Sequence, residues 1–186
     1  MTQGPGTGGA AVQISGAVRG RDRFEVVIVM HRYLVVANQT LHGADLREEL
    51  RKRIKSGPCS FFVLVPNTSA ADYDADAAAT VLSHPGTWWW STDYAGPATD
   101  EEATAQARQR LKQMLGNLAA LDLPVEGQLG SSDPLEAMEK ISADHQFDEI
   151  IVATLPRRVS RWLEADLPRE AERRFGIPVT TIVMKV

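Results

Sequence analysis

Asp148-Glu-Ile-Ile-Val-Ala153 and, about thirty residues on, Val179-Thr-Thr-Ile-Val183 are two short apolar, β-branched runs. Each has the length and residue types of a buried strand. Between them lie an arginine-rich stretch, Thr154-Leu-Pro-Arg-Arg-Val-Ser-Arg161, and a short helical segment that begins near Asp166. Strand, crossover and strand in so little chain make the two strands parallel neighbours. Open parallel sheets bind ligands beyond the carboxyl ends of their strands. The segment 154–161 is therefore where a site is first expected.

Working upstream, the same alternation recurs. Gly130-Ser-Ser-Asp133-Pro134 turns into a helix with Asp133 as N-cap, Pro134 in the first turn and Glu136 closing a capping box. Its apolar stripe is Leu135, Met138 and Ile141. Before it, Pro124-Val-Glu-Gly-Gln-Leu129 alternates as a strand should. Thr99-Asp-Glu-Glu102 opens a long helix to about Ala120, with Leu111, Met114, Leu115 and Leu118 on one face. Phe61-Phe-Val-Leu-Val65 is a strand that Pro66-Asn67 stops. The helix from Ala44 to about Lys55 presents Leu46, Leu50 and Ile54 inward and pairs Glu48 with Lys52 and Glu49 with Arg53. Arg32-Tyr-Leu-Val-Val-Ala37 is the first core strand and runs into the polar Asn38-Gln39-Thr40. This order of strands and helices implies a parallel sheet of five strands covered by helices on both faces.

Residues 1–29 are a disordered or extra N-terminal segment before an α/β domain spanning 30–186. Whether Met1 or Met30 is the start is left open. The irregular part, 67–99, contains Trp88-Trp89-Trp90. Three consecutive rings cannot share one core face, so that segment either folds back on its own scaffold or meets a protein partner.

Composition excludes several classes. The chain has 186 residues, enough for one well-buried core but not two. A net charge of −4 gives no overall pull toward nucleic acid or an acidic membrane. No apolar run approaches the roughly 20 residues that span a bilayer. The start Met1-Thr-Gln-Gly-Pro-Gly lacks the basic and apolar parts of a signal peptide, so a cytoplasmic location is expected. Cys59 is the single cysteine and cannot form an internal disulfide. The histidines His31, His42, His84 and His145 show no metal-ligand spacing with one another or with Cys59. No nucleophile elbow, P-loop or dinucleotide fingerprint is present. The expectation is a protein that binds, with small molecules or proteins as partners, and does not catalyse.

From Arg32 to Val186 the chain resembles the universal stress protein family. The resemblance rests on three pieces in order: the strand ending in Asn38-Gln39-Thr40; Gly130-Ser-Ser-Asp133-Pro134, a helix and Asp148-Glu-Ile-Ile-Val152; and the tail Gly176-Ile-Pro178-Val179-Thr-Thr-Ile182-Val183. It implies a Rossmann-like fold of the adenine-nucleotide α-hydrolase type with strand order 3-2-1-4-5. It also implies a homodimer joined through the last strand, here Val179, Thr180, Thr181, Ile182 and Val183, and a role in stress response. In the family's ATP-binding members a Gly-x2-Gly-x9-Gly-[Ser/Thr] pattern follows the fourth strand, and its bare backbone cradles phosphate. Here no glycine falls between Val152 and Gly176. Asp166 stands near the last glycine's place, where it is expected to cap the next helix and repel phosphate. Asn38 replaces the family's first-strand aspartate. Three readings follow. The domain acts through protein contacts without nucleotide, or it binds ATP or AMP through Asn38, Gln39, Thr40, Pro66, Gly130, Thr154, Arg157, Arg158 and Arg161, with guanidinium forks in place of the glycine loop. An ATP hydrolase is the reading that the missing glycines and aspartate support least.

Overall fold

The computed structural model describes residues 10–13, 27–67, 99–155 and 166–183. Its strands are β1 (Ala10–Gln13), β2 (Val27–Val36), β3 (Cys59–Pro66), β4 (Val125–Gly130), β5 (Glu149–Thr154) and β6 (Val179–Val183). Its helices are α1 (Ala44–Ser56), α2 (Asp100–Ala119), α3 (Pro134–Asp144) and α4 (Leu167–Phe175), with a 3-10 turn at Gln39–His42. Five strands run parallel in the order β4-β3-β2-β5-β6. Counted along the core, that is the expected 3-2-1-4-5.

The first core strand starts at Val27, five residues before the Arg32 at which the sequence reading begins it. Val27–Met30 continues without a break into the sheet, and this first part pairs antiparallel with Ala10–Gln13. From His31 onward β2 joins β3 on one side, and from Tyr33 it joins β5 on the other.

Strand alternation divides the core in two. Tyr33, Val35, Ala37, Phe61, Val63, Val65, Ile151 and Ala153 face α1 and α2, meeting Leu46, Leu50, Ala107, Leu111, Met114 and Leu118. Leu34, Val36, Phe62, Leu64, Ile150 and Val152 face α3 and α4, meeting Ala137, Met138, Ile141, Leu167 and Ala171. Strands buried on both faces read as unbroken apolar runs because neither face meets water. The outermost strand β4 instead exposes Glu126 and Gln128.

Helix ends follow their local chemistry. Thr99 accepts the backbone N–H of Glu102 at 3.2 Å, and Asp133 Oδ1 accepts those of Leu135 and Glu136 at 2.8 and 3.3 Å. Lys52 pairs with Glu49 at 3.1 Å, three residues away, in place of the expected Glu48, and Glu49 also holds Arg53 at 2.6 Å. Asp166 does not cap α4. Its backbone is left-handed (φ 52°, ψ 35°), its side chain accepts no cap hydrogen bond, and its carboxylate lies 3.6 Å from Arg169. The reversal in backbone direction carries the carboxylate away from the helix N–H groups. A glycine takes this conformation without strain, whereas an L-aspartate does not. No helix among the described residues is long and apolar enough to cross a membrane.

Candidate functional site

The chain builds β2, β3 and β4 outward to one edge, then returns to lay β5 and β6 on the other side of β2. The topological switch point therefore lies between β2 and β5, and the carboxyl ends of these strands form the crevice where ligands of such sheets sit. Val36 ends β2, Ala37-Asn38 leaves it and the 3-10 turn begins at Gln39. Thr154 ends β5, and Pro66 and Gly130 end β3 and β4 in register with each other. The structure thus brings Asn38, Gln39, Thr40, Pro66, Gly130 and Thr154 to one end of the sheet. Arg157, Arg158 and Arg161, as well as Trp88–Trp90, lie outside the described residues.

Geometry defines what the gathered residues do. Thr40 is buried (2% exposed), and its hydroxyl donates to the Ala153 carbonyl at 2.7 Å, spanning the switch point from β2's end to β5. Asn38 is buried (4% exposed), and its amide donates to the Pro66 carbonyl at 3.2 Å, tying β2's end to β3. These donors satisfy carbonyls at strand ends that have no further ladder partner, and each such bond stabilises by about 0.5–1.5 kcal/mol. The Asn67 backbone N–H reaches the carbonyls of Gly130 and Ser131 at 3.2 and 3.3 Å, and its side chain accepts from the Thr104 hydroxyl of α2 at 3.1 Å. Thr154 is buried at the same end.

Gly130 has a packing role. A Cβ there would lie 2.5 Å from the Ala137 Cβ and 3.0 Å from Leu64 Cδ1. The bare backbone lets α3 close onto the ends of β3 and β4. The glycine at the start of Gly130-Ser-Ser-Asp133-Pro134 is therefore explained by helix packing alone.

The family-model comparison finds no match for this chain, and neither does the comparison with curated proteins. Among solved structures it is similar to a universal stress protein from Archaeoglobus fulgidus, at 12% identity, with 83% of this chain and 93% of that one covered and a TM-score of 0.45.

Charge gathers at the opposite end of the sheet. Arg53 of α1 donates from Nε to Glu149 Oε2 at 3.1 Å and from Nη2 to Oε1 at 2.5 Å, while Nη1 holds Glu49 at 2.6 Å. Thr180 of β6 donates to Glu149 Oε1 at 2.7 Å, and the guanidinium lies 5.8 Å from the centre of the Tyr33 ring. The hydrogen bond it donates to Glu149 holds the Arg53 guanidinium more firmly protonated than usual. Burial, followed by the Glu149 charge, pushes the Tyr33 phenol above its ordinary value. Beside this cluster Asp148 Oδ2 accepts the Arg32 backbone N–H at 2.8 Å and lies 3.7 Å from His31 Nδ1. Arg32 Nη2 lies 3.4 Å from His145 Nδ1, which must accept because guanidinium only donates.

Apart from Glu49 and Arg53, which their four-residue spacing already pairs, these partners lie far apart in the chain, and periodicity alone leaves them unconnected. The signal in the chain is the pair of charged residues Asp148-Glu149 at the mouth of an otherwise apolar strand. A cleft of ≈ 40 Å³ opens at this end, lined by Arg32, Tyr33, Phe62, Pro124, Glu126 and Phe147 among others. That is far below the roughly 300 Å³ of small-molecule pockets. Among the described residues no three His, Cys, Asp or Glu side chains group to hold a metal ion.

Proposed function

We propose that this chain is a regulatory domain of the universal stress type, active in stress response by binding and not by turnover, in the cytoplasm. The parallel order 3-2-1-4-5 and the ordered resemblance of its strand-end motifs support that reading. The observation that carries it is the switch point itself. The Thr40 hydroxyl and the Asn38 amide, which a nucleotide would need in the crevice, are buried and engaged with the carbonyls of Ala153 and Pro66. A phosphate or ribose approaching them would have to break bonds that close the sheet's ends.

Calorimetry of magnesium-ATP against the full chain tests this. No heat of binding at millimolar nucleotide is expected. Micromolar affinity that Arg157→Ala or Arg158→Ala removes would overturn it in favour of a nucleotide module with arginines in place of glycines.

The same reading makes the protein a homodimer through β6. That strand pairs with β5 on one side and is the edge of the sheet among the described residues. Thr181 and Val183 are exposed on it, with Val183 at 43%. An edge of this kind pairs readily with a twin. Thr181→Pro, which removes a ladder donor, is expected to halve the mass measured by light scattering. An unchanged mass would contradict pairing through this strand, and so would a wild-type monomer.

A further inference from the structure

The two helical layers treat their positive charges differently. On the α3/α4 layer each cation has an acidic partner: Lys140 with Glu136 at 2.7 Å, Arg169 with Asp166 at 3.6 Å, Arg173 with Glu170 and Arg174 with Glu139 at 2.5 Å each. On the α1/α2 layer Arg47, Arg51 and Lys55 of α1, and Arg108 and Lys112 of α2, are exposed and have no ion pair among the described residues. The acids that would neutralise α1 are turned away. Glu49 holds Arg53 and Lys52, and Glu149 faces Arg53 from β5. Glu48 is the one exposed acid within the stripe.

Arg47, Arg51 and Lys55 recur every fourth residue, so they form one row along the helix, spanning about 12 Å at 1.5 Å per residue. Leu46 and Leu50 bury the adjacent face of the helix about 100° away, and all three residues of the row are exposed.

We infer that this row on α1 is a docking surface for an acidic helical peptide segment of a partner protein, with carboxylates at the matching four-residue spacing. Charge complementarity selects the occupant. Three cations over one short helix suit a few carboxylates, whereas duplex nucleic acid binders engage about 6–10 phosphates. A net charge of −4 on the whole chain repels a long polyanion. A short peptide meets the row alone.

The test uses the full chain and a fluorescein-labelled helical peptide with Glu at every fourth position, read by anisotropy. Arg47→Gln, Arg51→Gln and Lys55→Gln together are expected to weaken binding about tenfold. The matched triple on α4, Arg169→Gln, Arg173→Gln and Arg174→Gln, is expected to leave it unchanged. All six residues are exposed, and circular dichroism verifies folding in both variants. The inference fails if the α1 variant binds like the wild type or if the α4 variant loses as much. It fails equally if a Gln-substituted peptide binds as well, or if an oligonucleotide of equal charge binds more tightly through the same row.

Discussion

At the amino end of the sheet, elements are tied by charge. Glu149 holds Arg53 from α1 and Thr180 from β6, with Glu49 and the Tyr33 ring completing the cluster. At the carboxyl end the ties are neutral, with Thr40 on the Ala153 carbonyl and Asn38 on the Pro66 carbonyl. In an open α/β sheet the carboxyl end is the one that meets ligands, so the charged end is the one where no ligand is expected. The difference teaches that charged residues alone do not mark a site. Glu149 and Arg53 clamp a helix and an edge strand, and the ligand end of this chain shows short polar groups already bound to backbone.

The comparison breaks most visibly at Glu149. Glu149→Ala leaves Arg53 with one carboxylate and Thr180 without an acceptor, and is expected to lower stability by about 3 kcal/mol in urea unfolding. A loss below about half a kcal/mol, the range of an ordinary surface pair, would mean the charged end is solvated and not clamped. Next in size is Gly130→Ala. The added methyl meets a Cβ and a Leu64 methyl that cannot both retreat, so about 2 kcal/mol is expected. Thr40→Val removes the bond across the switch point while keeping shape, and is expected to lose about 1 kcal/mol. Smallest is Asp166→Gly. Relief of the left-handed backbone outweighs the added chain entropy, and a gain of about 0.5 kcal/mol is expected.

Alkaline pH sharpens the same contrast. The Tyr33 phenol is raised by burial and by Glu149, and the Cys59 thiol by burial. Both are acids that stay protonated longer in the folded chain than in the unfolded one. Their contribution is complete below the unfolded values and is lost as pH rises through the folded ones. Urea midpoints are expected to fall once pH passes the ordinary thiol and phenol values of about 8.5 and 10. In Glu149→Gln the phenol's share of that fall is expected to shrink.

Much of the fold was legible because its signals are local. Apolar runs such as Phe61–Val65 and Ile150–Ala153 name buried strands, and Thr99 and Asp133 name helix starts through bonds two or three residues away. The positions of Asn38, Thr40 and Pro66 at one end of the sheet were legible for the same reason, since alternation implies parallel strands and parallel strands end on the same side. Their roles were not. The carbonyl that Thr40 holds belongs to a residue 113 positions on, and hydroxyls that bind backbone look in sequence like hydroxyls that bind ligand. Glu149 and Arg53 are likewise 96 positions apart. At Asp166 the residue type points to a cap, while the path of the chain before it sets a left-handed backbone that the type does not announce.

The most direct measurement pairs magnesium-ATP calorimetry with urea unfolding on the wild type and Thr40→Val. Expected are no binding heat in either protein and a lower unfolding midpoint in the variant, as a hydroxyl that closes the sheet requires. Micromolar binding in the wild type that Thr40→Val abolishes without moving the midpoint would contradict this, and would make the hydroxyl a ligand group.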